Sequence, residues 1–183
     1  MASQKIVDLD RLAALVAAQK AQGRRVVHCH GCFDLVHIGH IRHFQRAREM
    51  GDFLIVTVTP DRFVNKGPGR PAFPEDLRLE TLAALDVVDA VALNRWPTAV
   101  ETIRMVKPSL YVKGTEYKNA GNDVTGGIQL EQDAIASVGG VLAFTDDIVF
   151  SSSNLINRFA SAYPKEVKEC LEGFGRRYPA ARI

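Results

Sequence analysis

At 183 residues, with 46 % hydrophobic and 24 % charged residues, the chain is long enough for one domain with a real core and is ordinary for a globular protein. A formal net charge of +2 removes the case for a general nucleic-acid-binding surface, and no apolar run approaches the roughly 18 residues of a membrane span. The polar N-terminus, MASQKIVDLDRL, lacks the apolar segment of a secretory signal, and three cysteines without framework spacing fit reduced thiols, so a cytoplasmic protein is expected.

Apolar periodicity predicts an amphipathic helix over 8–21, stopped by Gly23. A short buried strand follows over 24–29, then a helix over 37–51 that starts at a glycine-bearing turn. DFLIVTVTP (52–60) reads as a core strand because it is rich in β-branched and aromatic residues. NKGPGRP (65–71) reads as a loop on composition. Residues 74–86 read as a helix with Pro74 at its start and acids behind it. A strand at 88–93, a helix at 97–106 ended by Pro108, and a strand at 109–114 come next. After a polar loop at 115–126 the pattern closes with a helix at 127–138, a strand at 141–146 and a serine-opened helix at 151–162.

Five alternations of strand and helix predict a Rossmann-like α/β fold: a doubly wound, five-stranded parallel sheet with helices on both faces. Residues 1–162 are expected to form the domain, and 163–183 a terminal helix or linker stub. In such sheets ligands gather beyond the carboxyl ends of the strands. The loops at 30–39, 60–73, 94–96, 113–126 and 146–152 are therefore the ones to inspect.

All five histidines and two of the three cysteines fall in HCHGCFDLVHIGHIRH, residues 28–43. Three chemistries want such a stretch. A structural metal site wants two separated ligand pairs, but Cys29 and Cys32 have no second pair and no HExxH accompanies His37 and His40. A redox CxxC sits at a helix start, whereas Cys29 ends a strand. A phosphate-handling turn explains more positions. Gly31 lets the chain turn, and a helix N-terminus near Ile38-Gly39 favours an anion. His37 and His40 flank Gly39, whose missing side chain lets a phosphate approach, and imidazole N–H groups can stabilise its charge.

HGCFDLVHIGH resembles the signature of the cytidylyltransferase-like superfamily of nucleotidyltransferases, whose core is an HxGH turn. The likeness covers residues 24–160 and is nearest to the nucleotidyltransferase domain of bacterial ADP-heptose synthesis proteins. Glycerol-3-phosphate cytidylyltransferases are a more distant likeness.

The resemblance implies that a nucleoside triphosphate, with ATP placed ahead of CTP, is attacked at its α-phosphorus by the phosphate of a sugar 1-phosphate such as a heptose 1-phosphate. An NDP-sugar and pyrophosphate result, with Mg²⁺ bridging the triphosphate. His37 and His40 match the histidines that contact the triphosphate, with Gly39 between them. Cys32 and Phe33 are expected to line the nucleotide site through their backbones, and Asp34 to lie near the acceptor. Lys66 matches a mobile-loop lysine that reaches the phosphates, and Arg78 a helix arginine directed at the acceptor or the β/γ-phosphates. VKGTEY matches a VKGxDY pattern near base and ribose, so Lys113, Gly114 and Glu116 join the nucleotide site. Ser151, Ser152 and Ser153 match an STTxI segment that meets the phosphates.

Two positions depart from the patterns. Glu116 stands where the family has aspartate, and Asp146 where the glycerol-phosphate enzymes have arginine, which favours the sugar-phosphate branch. His28, His30 and His43 have no role in the pattern. The resemblance also implies a homodimer and a sugar-kinase domain or partner. A cytidylyltransferase for another phosphate or phosphonate acceptor, and a catalytically silent nucleotide-binding module, are the alternatives.

Overall fold

The structure is a computed structural model and describes residues 2–66, 70–115 and 127–145. The chain divides into two compact units, Met1–Val149 and Phe150–Ile183. The expected domain end at residue 162, the serine-opened helix and the C-terminal segment fall in the second unit, outside the described residues.

The first unit runs α1 (Ala2–Lys5), α2 (Leu9–Ala21), β1 (Val26–Gly31), α3 (Ile38–Glu49), β2 (Phe53–Val58), a 3-10 turn (Asp61–Phe63), α4 (Glu75–Ala83), β3 (Ala90–Leu93), α5 (Val100–Val106), β4 (Leu110–Gly114), α6 (Gly127–Ser137) and β5 (Val141–Thr145). The sheet has five strands in the order β3-β2-β1-β4-β5, all parallel. This is the expected doubly wound sheet. Its direction of winding reverses between β1 and β4, and in such sheets ligands bind beyond the carboxyl ends of the strands at that point. Two elements lay below the reach of periodicity: four-residue α1 and the 3-10 turn after β2.

The helices form for local reasons and stay for tertiary ones. Asp8 caps α2 by accepting the Arg11 N–H (2.7 Å), and Leu9, Leu12 and Val16 then bury one stripe. Gly23, at φ +76°, takes the left-handed turn that ends the helix region. Side chains along each strand alternate between two cores. Val27, Cys29, Leu54, Val56, Val58 and Val112 pack on one face against Phe44 and Ala47 of α3 and Leu79 and Leu82 of α4. On the other face Val26, Ile55 and Ala92 meet α2, while Tyr111 packs with Ile103 of α5 and Ile135 of α6.

Candidate active site

β1 delivers the chain to this reversal point, and the turn at 32–37 carries it into α3. A Cβ at Gly31 would lie 3.0 Å from the Phe33 ring, so this position takes only glycine without a shift. Phe33 itself holds φ +48°, a region a bulky residue rarely adopts and one that costs about 1–3 kcal/mol. Burial holds it there. The ring packs on Phe44 (centroids 5.2 Å) and meets His40 edge-on (5.5 Å).

The two histidines of HIGH cap α3. His37 is the N-cap, and its Nδ1 accepts the Gly39 N–H at 3.1 Å. The Nδ1 of His40 accepts the His37 N–H at 3.4 Å, which completes a capping box built of imidazoles. An acceptor Nδ1 fixes each ring as the neutral tautomer with its proton on Nε2. The rings lie 4.0 Å apart, centroid to centroid. Burial lowers the pKa of His37. Burial, then the charges of His37, His43 and Lys66, push His40 down to about 3. The site thus holds two neutral imidazoles, protonated on Nε2, at a helix N-terminus, where an anion is already favoured; His37 Nε2 is itself buried.

Four further side chains surround the turn. Asp34 is 2 % exposed. Its Oδ1 accepts the Ala72 and Phe73 N–H groups (2.6 and 3.3 Å), and its Oδ2 accepts Arg70 Nε at 2.5 Å. Burial raises its pKa, but Arg70 and the two N–H groups outweigh that and hold the carboxyl below its ordinary value. The carboxylate expected near the acceptor therefore fastens residues 70–73.

Arg78, expected at the acceptor or the phosphates, is 1 % exposed. Its Nε donates to the Phe73 carbonyl (3.1 Å), Nη1 to the Cys32 carbonyl (2.5 Å), and Nη2 to the Thr59 carbonyl (2.8 Å) and Asp61 (2.6 Å). It ties α4 to the ends of β1 and β2 and shapes the turn from beneath. Lys66 is exposed at the rim, near enough for its charge to act on His40 and on Cys32. Lys113, expected at the base or ribose, forms a salt bridge with Glu131 of α6 at 2.9 Å, and Tyr111 also donates to Glu131 (2.9 Å). Gly114 ends β4, paired with Thr145 of β5. Glu116, Ser151, Ser152 and Ser153 lie outside the described residues.

The other three histidines have structural partners. Thr57, opposite His30 in the β1–β2 register, joins His28 Nε2 (2.7 Å) and His30 Nδ1 (2.8 Å) through its hydroxyl. His43 Nδ1 bonds Thr145 Oγ1 (2.8 Å), which links α3 to the end of β5. Cys29 faces the core, where burial pushes its thiol up, and Cys32 sits in the turn; both are free.

Arg70 escaped sequence reasoning. In NKGPGRP it looks like one cation of a polar loop. Its signal, the buried Asp34 that holds it, is 36 residues away in sequence.

Comparison with known proteins agrees with this geometry. The cytidylyltransferase-like family model matches residues 28–158. The bifunctional protein HldE of Geobacter sulfurreducens is 38 % identical over 167 residues, covering 88 % of this chain and 32 % of that protein. HldE of Methylobacillus flagellatus is 38 % identical over 162 residues, 87 % of this chain and 32 % of the relative. The chain thus spans about a third of the length of these curated relatives. Among solved structures, a lipopolysaccharide core biosynthesis protein from Thermoplasma volcanium superposes with a TM-score of 0.55 at 26 % identity, covering 70 % of this chain and 100 % of that one. A pantoate-beta-alanine ligase from Francisella tularensis, at 15 % identity and TM-score 0.56, shares the fold over 93 % of this chain and 85 % of its own. With the HxGH histidines capping α3 at the switch point and the family model spanning most of the chain, the protein belongs to the cytidylyltransferase-like family of nucleotidyltransferases.

Proposed function

We propose that the chain transfers a nucleoside monophosphate, from ATP ahead of CTP, to the phosphate of a sugar 1-phosphate, with a heptose 1-phosphate as the leading acceptor. The observation that carries the reaction is the imidazole capping box, which sets two neutral imidazoles, protonated on Nε2, at the N-terminus of α3. An acceptor phosphate oxygen attacks the α-phosphorus as the bond to the β-phosphate oxygen breaks, and pyrophosphate leaves. Charge grows on the α-phosphate oxygens, where His37 and His40 donate through Nε2 and Lys66 adds a positive charge. Both attacking and leaving groups are already anionic, so the step needs no proton transferred from His40. Arg78 serves as a positioning residue by holding the Cys32 carbonyl and with it the turn.

Mg²⁺ belongs to the same proposal. Bound with the triphosphate, the ion would partly neutralise the phosphate oxygens. The sugar class rests on the likeness to proteins named for two functions, and a kinase in a partner domain or separate chain would supply the sugar 1-phosphate. The homodimer and the cytoplasmic setting implied by the resemblance complete the reading. No described helix is long and apolar enough to cross a membrane.

The test is calorimetric titration with Mg-ATP and Mg-CTP, followed by pyrophosphate release with a panel of sugar 1-phosphates and glycerol 3-phosphate. Binding of one nucleotide and turnover with a sugar 1-phosphate, both impaired in His40→Ala, is the expected result. Turnover with glycerol 3-phosphate alone would move the protein to the other branch. Nucleotide binding without any turnover would make it a silent binding module.

A further inference from the structure

We propose that Arg70 is the residue that grips the phosphate of the acceptor, an assignment that rests on the transferase reading above. Three observations carry it. Arg70 is almost buried, with a side chain 11 % exposed. Its Nε edge is fixed by Asp34, itself fully buried as a side chain. Its Nη2 is buried and has no hydrogen-bond partner. A buried guanidinium nitrogen left without an acceptor is costly, and such orphans in a folded protein call for a missing water, ion or ligand.

The surroundings say which. Arg70 lies close enough to Cys32, the residue opening the phosphate turn, for its charge to act there, and Lys66 acts on the same residue. Asp34 meets Arg70 at Nε through Oδ2 while its Oδ1 accepts two backbone N–H groups, so Nη2 is left outside this ion pair. Arg78 has each guanidinium nitrogen engaged with the chain's own oxygens. Of the two arginines packed at the turn, Arg70 is the one with a donor to offer. A planar guanidinium locked on one edge presents its other nitrogen in a fixed direction, which suits a tetrahedral oxyanion better than a freely rotating ammonium does. Asp34 then acts through Arg70 as a positioning residue.

The experiment uses the full chain and the variants Arg70→Lys, Arg70→Gln and the charge-balanced double variant Arg70→Gln/Asp34→Asn. The last removes the risk that a lone buried Asp34 unfolds the protein. Inorganic phosphate is titrated calorimetrically with the nucleotide pocket filled by a non-hydrolysable Mg-nucleotide, or into the chain alone if no nucleotide binds. The wild type is expected to bind phosphate, and all three variants to bind it at least about tenfold more weakly. In steady-state turnover the same variants are expected to raise KM for the sugar 1-phosphate at least about tenfold with KM for the nucleotide unchanged. Equal phosphate binding in wild type and variants, no phosphate binding to the wild type, or equal rises in both KM values would overturn the assignment. Lack of turnover with any sugar 1-phosphate would instead defeat the sugar 1-phosphate reading, while the phosphate titration still decides Arg70.

Discussion

His37 and His40 each give one ring nitrogen, Nδ1, to the backbone cap of α3, and under the proposed reaction the other acts on the phosphates, so two effects of a substitution can be separated at this pair. His40→Ala removes the acceptor for the His37 N–H and the Nε2–H together. It is expected to cost about 1 kcal/mol of stability and roughly 10²–10³-fold in turnover. His40→Glu restores a normal capping-box residue at the third helical position and places an acid at the helix N-terminus. Its melting temperature should equal or exceed the wild type's while turnover falls at least as far as in His40→Ala. Thermal denaturation and pyrophosphate release on both variants check this. At this scale the sequence was informative about the two histidines and silent about their partners. HxGH names the residues. That Asp34 belongs to Arg70, and Arg78 to Cys32, depends on contacts 36 and 46 residues apart, which no local pattern encodes.

Among the elements, α3 and α6 both reach the sheet through polar contacts. His43 of α3 bonds Thr145 at the end of β5, and Glu131 of α6 pairs with Lys113 of β4. The first joins half-buried His43 to buried Thr145, so Thr145→Val should cost about 1 kcal/mol, read by urea denaturation. The second is a largely buried ion pair, 12 % and 9 % exposed at its side chains. Glu131→Ala leaves an ammonium without this counter-charge and should cost about 3–5 kcal/mol, whereas Lys113→Met/Glu131→Leu should recover part of that, the lost Tyr111 hydrogen bond remaining in both. Chemical denaturation of the three proteins decides it. Element type and order were legible because strands such as 53–58 are continuous apolar runs and helices such as 9–21 carry a clear stripe. Strand order was not, and with it went the reason for His28 and His30. Only when β2 lies beside β1 does Thr57 come within reach of both rings.

Over the whole molecule, the histidines make folding sensitive to acid. Burial, then the charge of Lys113, pushes His28 down to about 3, and His40 falls to about the same value. His30 and His37 are lowered as well, chiefly by burial. Between the unfolded pKa, near 6.5, and these lower folded values the unfolded chain binds more protons than the folded one. Stability is therefore full above about pH 6.5 and is lost as pH falls, by up to about 1.4 kcal/mol per pH unit for each such group. Urea denaturation from pH 8 to pH 4.5 should show a falling midpoint, and His28→Asn should make the fall shallower. A flat profile would mean that the rings find protons at no cost when folded.

The imidazole capping box also bears on descent. Most reactive groups are liabilities to the fold that carries them, so a lineage that abandons its reaction soon drops them. Here a change of His37 or His40 to an apolar residue uncaps α3, and purifying selection for folding alone would resist it. A copy of this domain retired from chemistry would lose its histidines first to other capping residues, to serine, asparagine or aspartate at position 37 and to glutamate or glutamine at position 40. Reading which replacement has occurred would then tell a relative that has changed its trade from one that has begun to decay.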